Sequence, residues 1–224
     1  MNKKRVIIIV SIVSLVIVSV VAAVIGISKK STYKGEIDSL KSLYSKEVGL
    51  ATTPFIKNMQ ESLPDNIKND TKYVVKIKCT KEPEFDYQSL LEFGEVLEVF
   101  KGDGINVGDN ITIYDARWSV SESGKHMNMW FVNFMKPGDE YLVYLTDKVE
   151  SDMYDDYYKV EAFVIPPIFN YEDKNDKVVN EKGNDKAEYG KVKDFEFFAA
   201  NEQVLDAWKE FKKKMMAEYG QESH

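Results

Sequence analysis

An uninterrupted apolar segment near the start of the chain constrains its fold more than any other feature. Residues 6–27 contain no ionisable side chain. The residues that flank this segment are basic: Lys3, Lys4 and Arg5 before it, and Lys29 and Lys30 after it. As a helix the segment would span about 33 Å, which matches the hydrocarbon core of a bilayer. Because a backbone in lipid can hydrogen-bond only to itself, the segment predicts a transmembrane helix.

Two other interpretations of residues 6–27 remain as alternatives. A cleaved signal peptide normally has an apolar region of only about 7–15 residues, although the small residues Ala22, Ala23, Gly26 and Ser28 leave a cleavage site open. A buried core helix is the third interpretation. The length of the segment favours a retained signal-anchor.

The basic flanks also indicate an orientation for this anchor. Residues 1–5 form a short stub that carries three positive charges, and short basic segments stay on the cytoplasmic side. Long C-terminal domains translocate largely regardless of their own charge. The sequence therefore predicts a single-pass protein of the cell membrane, with a cytoplasmic N-terminus and an extracytoplasmic domain.

Charge and cysteine content restrict what this domain can bind. Beyond residue 27 the chain has 27 basic and 37 acidic residues, which gives a formal net charge of −10. A field of this sign repels nucleic acid and anionic headgroups, so the remaining partners are proteins, neutral glycans or cationic molecules. The single cysteine, Cys79, excludes an intramolecular disulfide and a metal site with several cysteines. The hydrophobic core must therefore stabilise the fold.

Hydrophobic periodicity divides the rest of the chain into segments. We predict a juxtamembrane helix and linker over 28–70, with the helix at 33–49, because apolar residues recur there at helical spacing. The linker over 51–70 is predicted as connecting structure with a short helix near 56–63. Residues 71–200 are rich in strand patterns and include a charged loop at 170–194. An amphipathic C-terminal helix over 201–219 completes the order, with Asn201 as its predicted N-cap.

Strand patterns are clearest in five stretches: 73–80, 93–100, 110–118, 141–145 and 157–165. Apolar and polar residues alternate over 73–80, which predicts one buried face that includes Cys79. The stretch 141–145 is apolar at every position, as is typical of a strand covered on both faces.

Three segments in a fixed order carry a family resemblance: GEVLEVFKG at 94–102, VGDNITI at 107–113 and KPGDEYLVYL at 136–145. Residues 72–165 resemble the netrin-module or tissue-inhibitor-of-metalloproteinases type of OB-fold domain, as found in uncharacterised membrane-anchored proteins of Gram-positive bacteria. The resemblance implies an OB-like antiparallel β-barrel. The expected fold class is thus mainly β with flanking helices (α+β), with that barrel, a C-terminal amphipathic helix and an N-terminal transmembrane helix.

The resemblance does not extend to protease inhibition. In that inhibitor family an N-terminal cysteine binds the zinc of the protease. Here the sequence starts with Met1 before an apolar segment, and Cys79 lies inside a predicted strand. Inhibition by that route is excluded for this chain.

Motifs for catalysis or metal binding are weak, and we predict no catalytic residue, cofactor or metal. His126 follows Ser121 and Ser123 within one loop, and a pair so close in sequence seldom reaches the geometry that a nucleophile and a base require. An acidic run offers oxygen ligands for Ca²⁺ as an alternative: Asp147, Glu150, Asp152, Asp155 and Asp156. It lacks the loop pattern of a calcium site, so a solvated connection is favoured.

Aromatic residues supply the candidate partner or ligand surface: Trp118, Trp130, Tyr154, Tyr157 and Tyr158. Core filling explains the two tryptophans equally well. In the C-terminal helix, Lys209, Lys212, Lys213 and Lys214 lie outside the apolar stripe, and a partner or membrane role for them is the alternative to a solvated face.

Together these features predict a membrane-anchored, extracytoplasmic binding or interaction module without catalytic activity. A protein of the cell envelope is the expected partner, and nucleic acid is not. A neutral-glycan or small-ligand binding domain is the main alternative, and an unrecognised envelope enzyme is another. A glycan binder should expose a row of aromatic rings, whereas a protein-binding module should expose an apolar patch.

Overall fold

The computed structural model describes residues 40–86, 89–115, 118–121, 123–150, 156–160, 165–174, 178 and 184–219. These residues all belong to one unit of the chain, Leu40–His224. Residues 6–27, their basic flanks and Tyr154 lie outside the described part. Within it, no helix combines the length and the apolar character that crossing a membrane requires.

Most of the regular structure consists of short strands. They are β1 (Glu47–Gly49), β2 (Tyr73–Cys79), β3 (Glu84–Asp86), β4 (Ser89–Lys101), β5 (Asn110–Asp115), β6 (Ser119–Val120), β7 (His126–Asn128), β8 (Glu140–Leu145), β9 (Asp147–Val149), β10 (Tyr157–Val160), β11 (Ile168–Asn170) and β12 (Lys186–Glu188). The helices are α1 (Pro54–Gln60), α2 (Leu63–Asp70), α3 (Tyr189–Val192) and α4 (Glu202–Met216), and a 3₁₀ turn spans Leu40–Leu43.

The strands form two sheets. The smaller sheet has the order β12-β1-β7-β6, in which β1 and β7 run parallel. The larger sheet has the order β11-β8-β2-β4-β5-β10-β9, with β3 paired to β4. Its pairs are antiparallel except for β5 and β10, which run parallel. Among the described strands this order is open at β11 and β9, so the sheet is not closed into a barrel.

The two faces of β2 and β8 contribute to separate hydrophobic clusters. Val75, Ile77 and Val143 pack inside the larger sheet, whereas Val74 and Leu142 pack on its other side with residues of the helices. Strand β8 is therefore buried on both faces, as its uninterrupted apolar sequence predicts. Helices α1, α2 and α4 cover the outer side of β2, β8 and β11, and Phe100 near the end of β4 packs against the same cluster. The rest of β4, with β5 and β10, forms the other part of that outer surface.

Helix α4 begins and packs as the sequence predicts. The Asn201 side chain accepts a hydrogen bond from the backbone N–H of Val204 at 3.0 Å, which satisfies a donor that the first turn leaves free. The apolar stripe of the helix is buried. Trp208 in this stripe stacks on Phe197, with ring centroids 4.4 Å apart. The helix is thus fixed at its start by its cap and along its length by aromatic contacts.

The structure differs from the sequence predictions between residues 40 and 70. The predicted helix at 33–49 is, in its described part, a 3₁₀ turn followed by strand β1. Strand β1 pairs with β12 on one side and β7 on the other, so tertiary pairing outweighs the helical spacing of its apolar residues. The linker contains two helices rather than the one short helix predicted near 56–63: α1 overlaps that prediction, and α2 follows it. Each has a proline in its first turn, where proline fits a helix. The fold is mixed α+β, built mostly of strands.

Candidate functional site

The outer side of β4, β5 and β10 carries half-buried aromatic side chains in register. Phe93 on β4 pairs with Thr112 on β5, which pairs in turn with Tyr157 on β10. Two residues further along β5, Tyr114 pairs with Leu91 and Lys159. Strand alternation explains this arrangement, because the intervening Ile113 and Tyr158 are buried on the inner side. We call the surface formed by Phe93, Thr112, Tyr114 and Tyr157 the aromatic face.

Two tyrosine rings of the aromatic face lie against each other. The ring centroids of Tyr114 and Tyr157 are 5.4 Å apart, and the ring planes are inclined by 39°. Both residues are half-buried. At the other end of the face, the ammonium of Lys81 lies 3.6 Å from the ring centroid of Phe93, within the range of a cation–π contact. The face therefore combines half-buried aromatic residues with a positioned cation.

An open cleft of about 690 Å³ adjoins the aromatic face, and this volume is within the usual range for ligand sites. Residues that line it include Thr80, Lys81, Phe93, Asn110, Thr112 and Asp156. Both charged residues of this set have partners in the protein. Lys81 Nζ lies 2.6 Å from Glu84 Oε1, and Asp156 Oδ2 lies 3.0 Å from Lys148 Nζ. The cleft can thus offer neutral hydrogen-bonding groups beside an aromatic ring.

The structure separates the aromatic residues that the sequence grouped together. Tyr157 lies on the aromatic face, whereas its neighbour Tyr158 points inward, is 5% exposed and packs on Tyr73. Trp118 is 3% exposed and packs between Phe85 and Phe134, so it fills the core. Trp130 is half-buried in a turn with a φ of 49°. Tyr154 lies outside the described residues.

Tyr114 and Phe93 are surface residues that the sequence pattern did not single out. The signal was present in the alternation of β5, where Ile111 and Ile113 identify the buried side and place Thr112 and Tyr114 opposite. The same reasoning shows that adjacent Tyr157 and Tyr158 face opposite sides of β10.

The loop with Ser121, Ser123 and His126 is a hydrogen-bonded turn. The backbone N–H of His126 donates to the Ser121 hydroxyl at 3.1 Å, and the two serine hydroxyls lie 3.0 Å apart. The His126 ring faces elsewhere, with Nδ1 2.8 Å from Glu47 Oε2 on β1. The imidazole thus contacts a carboxylate on the neighbouring strand, and the serines stabilise the turn.

Two carboxylates that the sequence did not single out lie at one end of the interior. Glu92 on β4 and Asp115 on β5 are 2% and 3% exposed, and they line a cavity of about 10 Å³ with Trp118 and Asn133. This volume holds about one water molecule. Glu92 Oε1 accepts a hydrogen bond from the backbone N–H of Met135 at 2.6 Å. Glu92 therefore anchors the segment before β8.

The acidic run predicted as a solvated connection is described only in part, because residues 151–155 lie outside the described chain. Asp147 is ion-paired with Lys72, and Asp156 is ion-paired with Lys148. The described residues contain no group of three or more histidine, cysteine or acidic side chains placed to hold a metal ion.

The lysines of α4 do not form a uniform surface. Lys212 is turned toward the protein, with Nζ 2.6 Å from Glu196 Oε2, and their side chains are 14% and 5% exposed. Lys209 Nζ lies 3.9 Å from Asp173, while Lys213 and Lys214 are exposed. Lys212 is therefore part of the helix attachment, which the amphipathic pattern alone did not reveal.

No family model matches the chain, and no curated protein matches it either. The functional assignment therefore depends on the residues and the geometry described above.

Proposed function

We propose that this chain is a single-pass membrane protein that presents a non-catalytic binding domain outside the cytoplasm. The length and apolar character of residues 6–27 support the anchor, and the basic residues 1–5 support a cytoplasmic N-terminus. The aromatic face carries the binding assignment, since its rings are half-buried on a part of the outer side of the sheet that lies beyond the helix cluster.

The proposal includes an OB-like arrangement, the partly open barrel of the netrin-module or tissue-inhibitor-of-metalloproteinases type. Its support is the strand order β2-β4-β5-β10-β9 with a parallel pair between β5 and β10. Only Thr146 separates β8 from β9, and its N–H donates to the carbonyl of Lys159 on β10 at 2.9 Å. In OB-folds the second and third strands present the ligand surface, and here these strands are β4 and β5.

The charged groups at the cleft favour binding over catalysis, because they form ion pairs within the protein. Lys81 and Asp156 are each ion-paired within the protein. A catalytic acid or base is normally recognised by convergence on a shared position with other reactive groups. The candidate partners are a protein of the envelope and a neutral glycan or small ligand.

Affinity capture with the full chain tests the proposed function. The wild type and the variant Tyr114→Ala/Tyr157→Ala are tagged, solubilised and incubated with envelope from the source cell, and bound proteins and glycans are identified together. We expect one partner that the wild type retains and the variant loses by at least about tenfold, because truncating aromatic anchors removes most of their binding energy.

The exposed Val107 on the β4–β5 turn provides the matched control, since Val107→Ala also shortens an exposed side chain but lies off the aromatic face. This variant should retain the partner as the wild type does. Equal retention by all three proteins, or retention of nothing, would contradict the proposed function.

A further inference from the structure

We draw no further inference here: the strongest candidate, the aromatic face with half-buried Leu91 and Val149 in register beside Tyr114 and Tyr157, is an apolar sheet surface, and nothing among the residues that the structure describes shows what covers it.

Discussion

Replacing Trp208 with alanine is expected to lower the free energy of unfolding by about 3–5 kcal/mol. Trp208 is 1% exposed and stacks on Phe197 at a centroid distance of 4.4 Å with ring planes only 3° apart. It also stacks on Phe169 of β11 at 5.6 Å. Truncation would leave a large cavity where α4 packs on the sheet, because neighbouring elements relax only partly. Denaturant unfolding followed by circular dichroism measures the loss.

A control on the same helix separates packing from helix propensity. Lys213 is exposed, and Lys213→Ala should change the unfolding free energy by less than about 0.5 kcal/mol, as surface substitutions usually do. Trp208→Phe retains a ring, so its loss of unfolding free energy should lie between the losses for Trp208→Ala and Lys213→Ala. A loss below about 1 kcal/mol for Trp208→Ala would show that α4 does not hold the outer side of β8 and β11.

The variant Lys212→Met is expected to destabilise the fold by about 3–5 kcal/mol at pH 8, because it removes one partner of a buried ion pair. Lys212 Nζ lies 2.6 Å from Glu196 Oε2 and also donates to the backbone carbonyl of Glu172 at 3.1 Å. The other carboxylate oxygen of Glu196 accepts from the backbone N–H of Asn170 at 2.7 Å. Losing the ammonium removes the charge of Lys212 from beside a carboxylate that is 5% exposed.

The pH dependence of this effect has a defined sign. Burial raises the pKa of Glu196, and the charge of Lys212 opposes that rise. A carboxyl group with a raised folded pKa contributes stability at low pH that is lost as pH rises through that pKa. Removing Lys212 raises the pKa of Glu196 further. The stability difference between wild type and Lys212→Met should therefore be larger at pH 8 than at pH 5.

The double variant Glu196→Gln/Lys212→Met is the matched control for this titration. The amide oxygen that replaces the Glu196 carboxylate can still accept a hydrogen bond from the backbone N–H of Asn170, but the amide has no charge to titrate. Its stability should therefore not show the added fall between pH 5 and pH 8 that Lys212→Met shows. The same loss for Lys212→Met at both pH values would show that packing of the lysine stem, rather than its charge, sets the effect.

Local pattern predicted the elements whose burial follows from their own sequence. The alternation of β2, the apolar sequence of β8 and the capped stripe of α4 each specify which side is buried. Strand β1 could not be predicted in this way. Its three residues are held by partners from distant parts of the chain, β7 and β12, which the local spacing does not contain.

The candidate surface was predicted only in part for a similar reason. Composition identified aromatic residues, but strand parity decides which of them reach solvent, so Tyr157 lies on the aromatic face while Tyr158 points inward. Tyr114 joins Tyr157 through the parallel pairing of β5 and β10, a long-range contact that sequence spacing does not show. The Lys212 side chain likewise points inward because it pairs with Glu196, which lies on a different segment.

The proposed anchor would hold the domain on one side of a membrane, and that side decides which partners it can reach. Cysteine labelling of intact cells measures the side directly. Cys79 is 2% exposed, and burial raises the pKa of its thiol to about 12, so the native protein should not react. Val107→Cys introduces a thiol at a position that is 67% exposed.

Full-length wild type and Val107→Cys are expressed in the source cell and treated with a membrane-impermeant maleimide. An outward-facing domain predicts labelling of Val107→Cys in intact cells, no labelling of the wild type, and no increase after the membrane is permeabilised. Labelling of Val107→Cys only after permeabilisation would place the domain in the cytoplasm and contradict the proposed extracytoplasmic binding function.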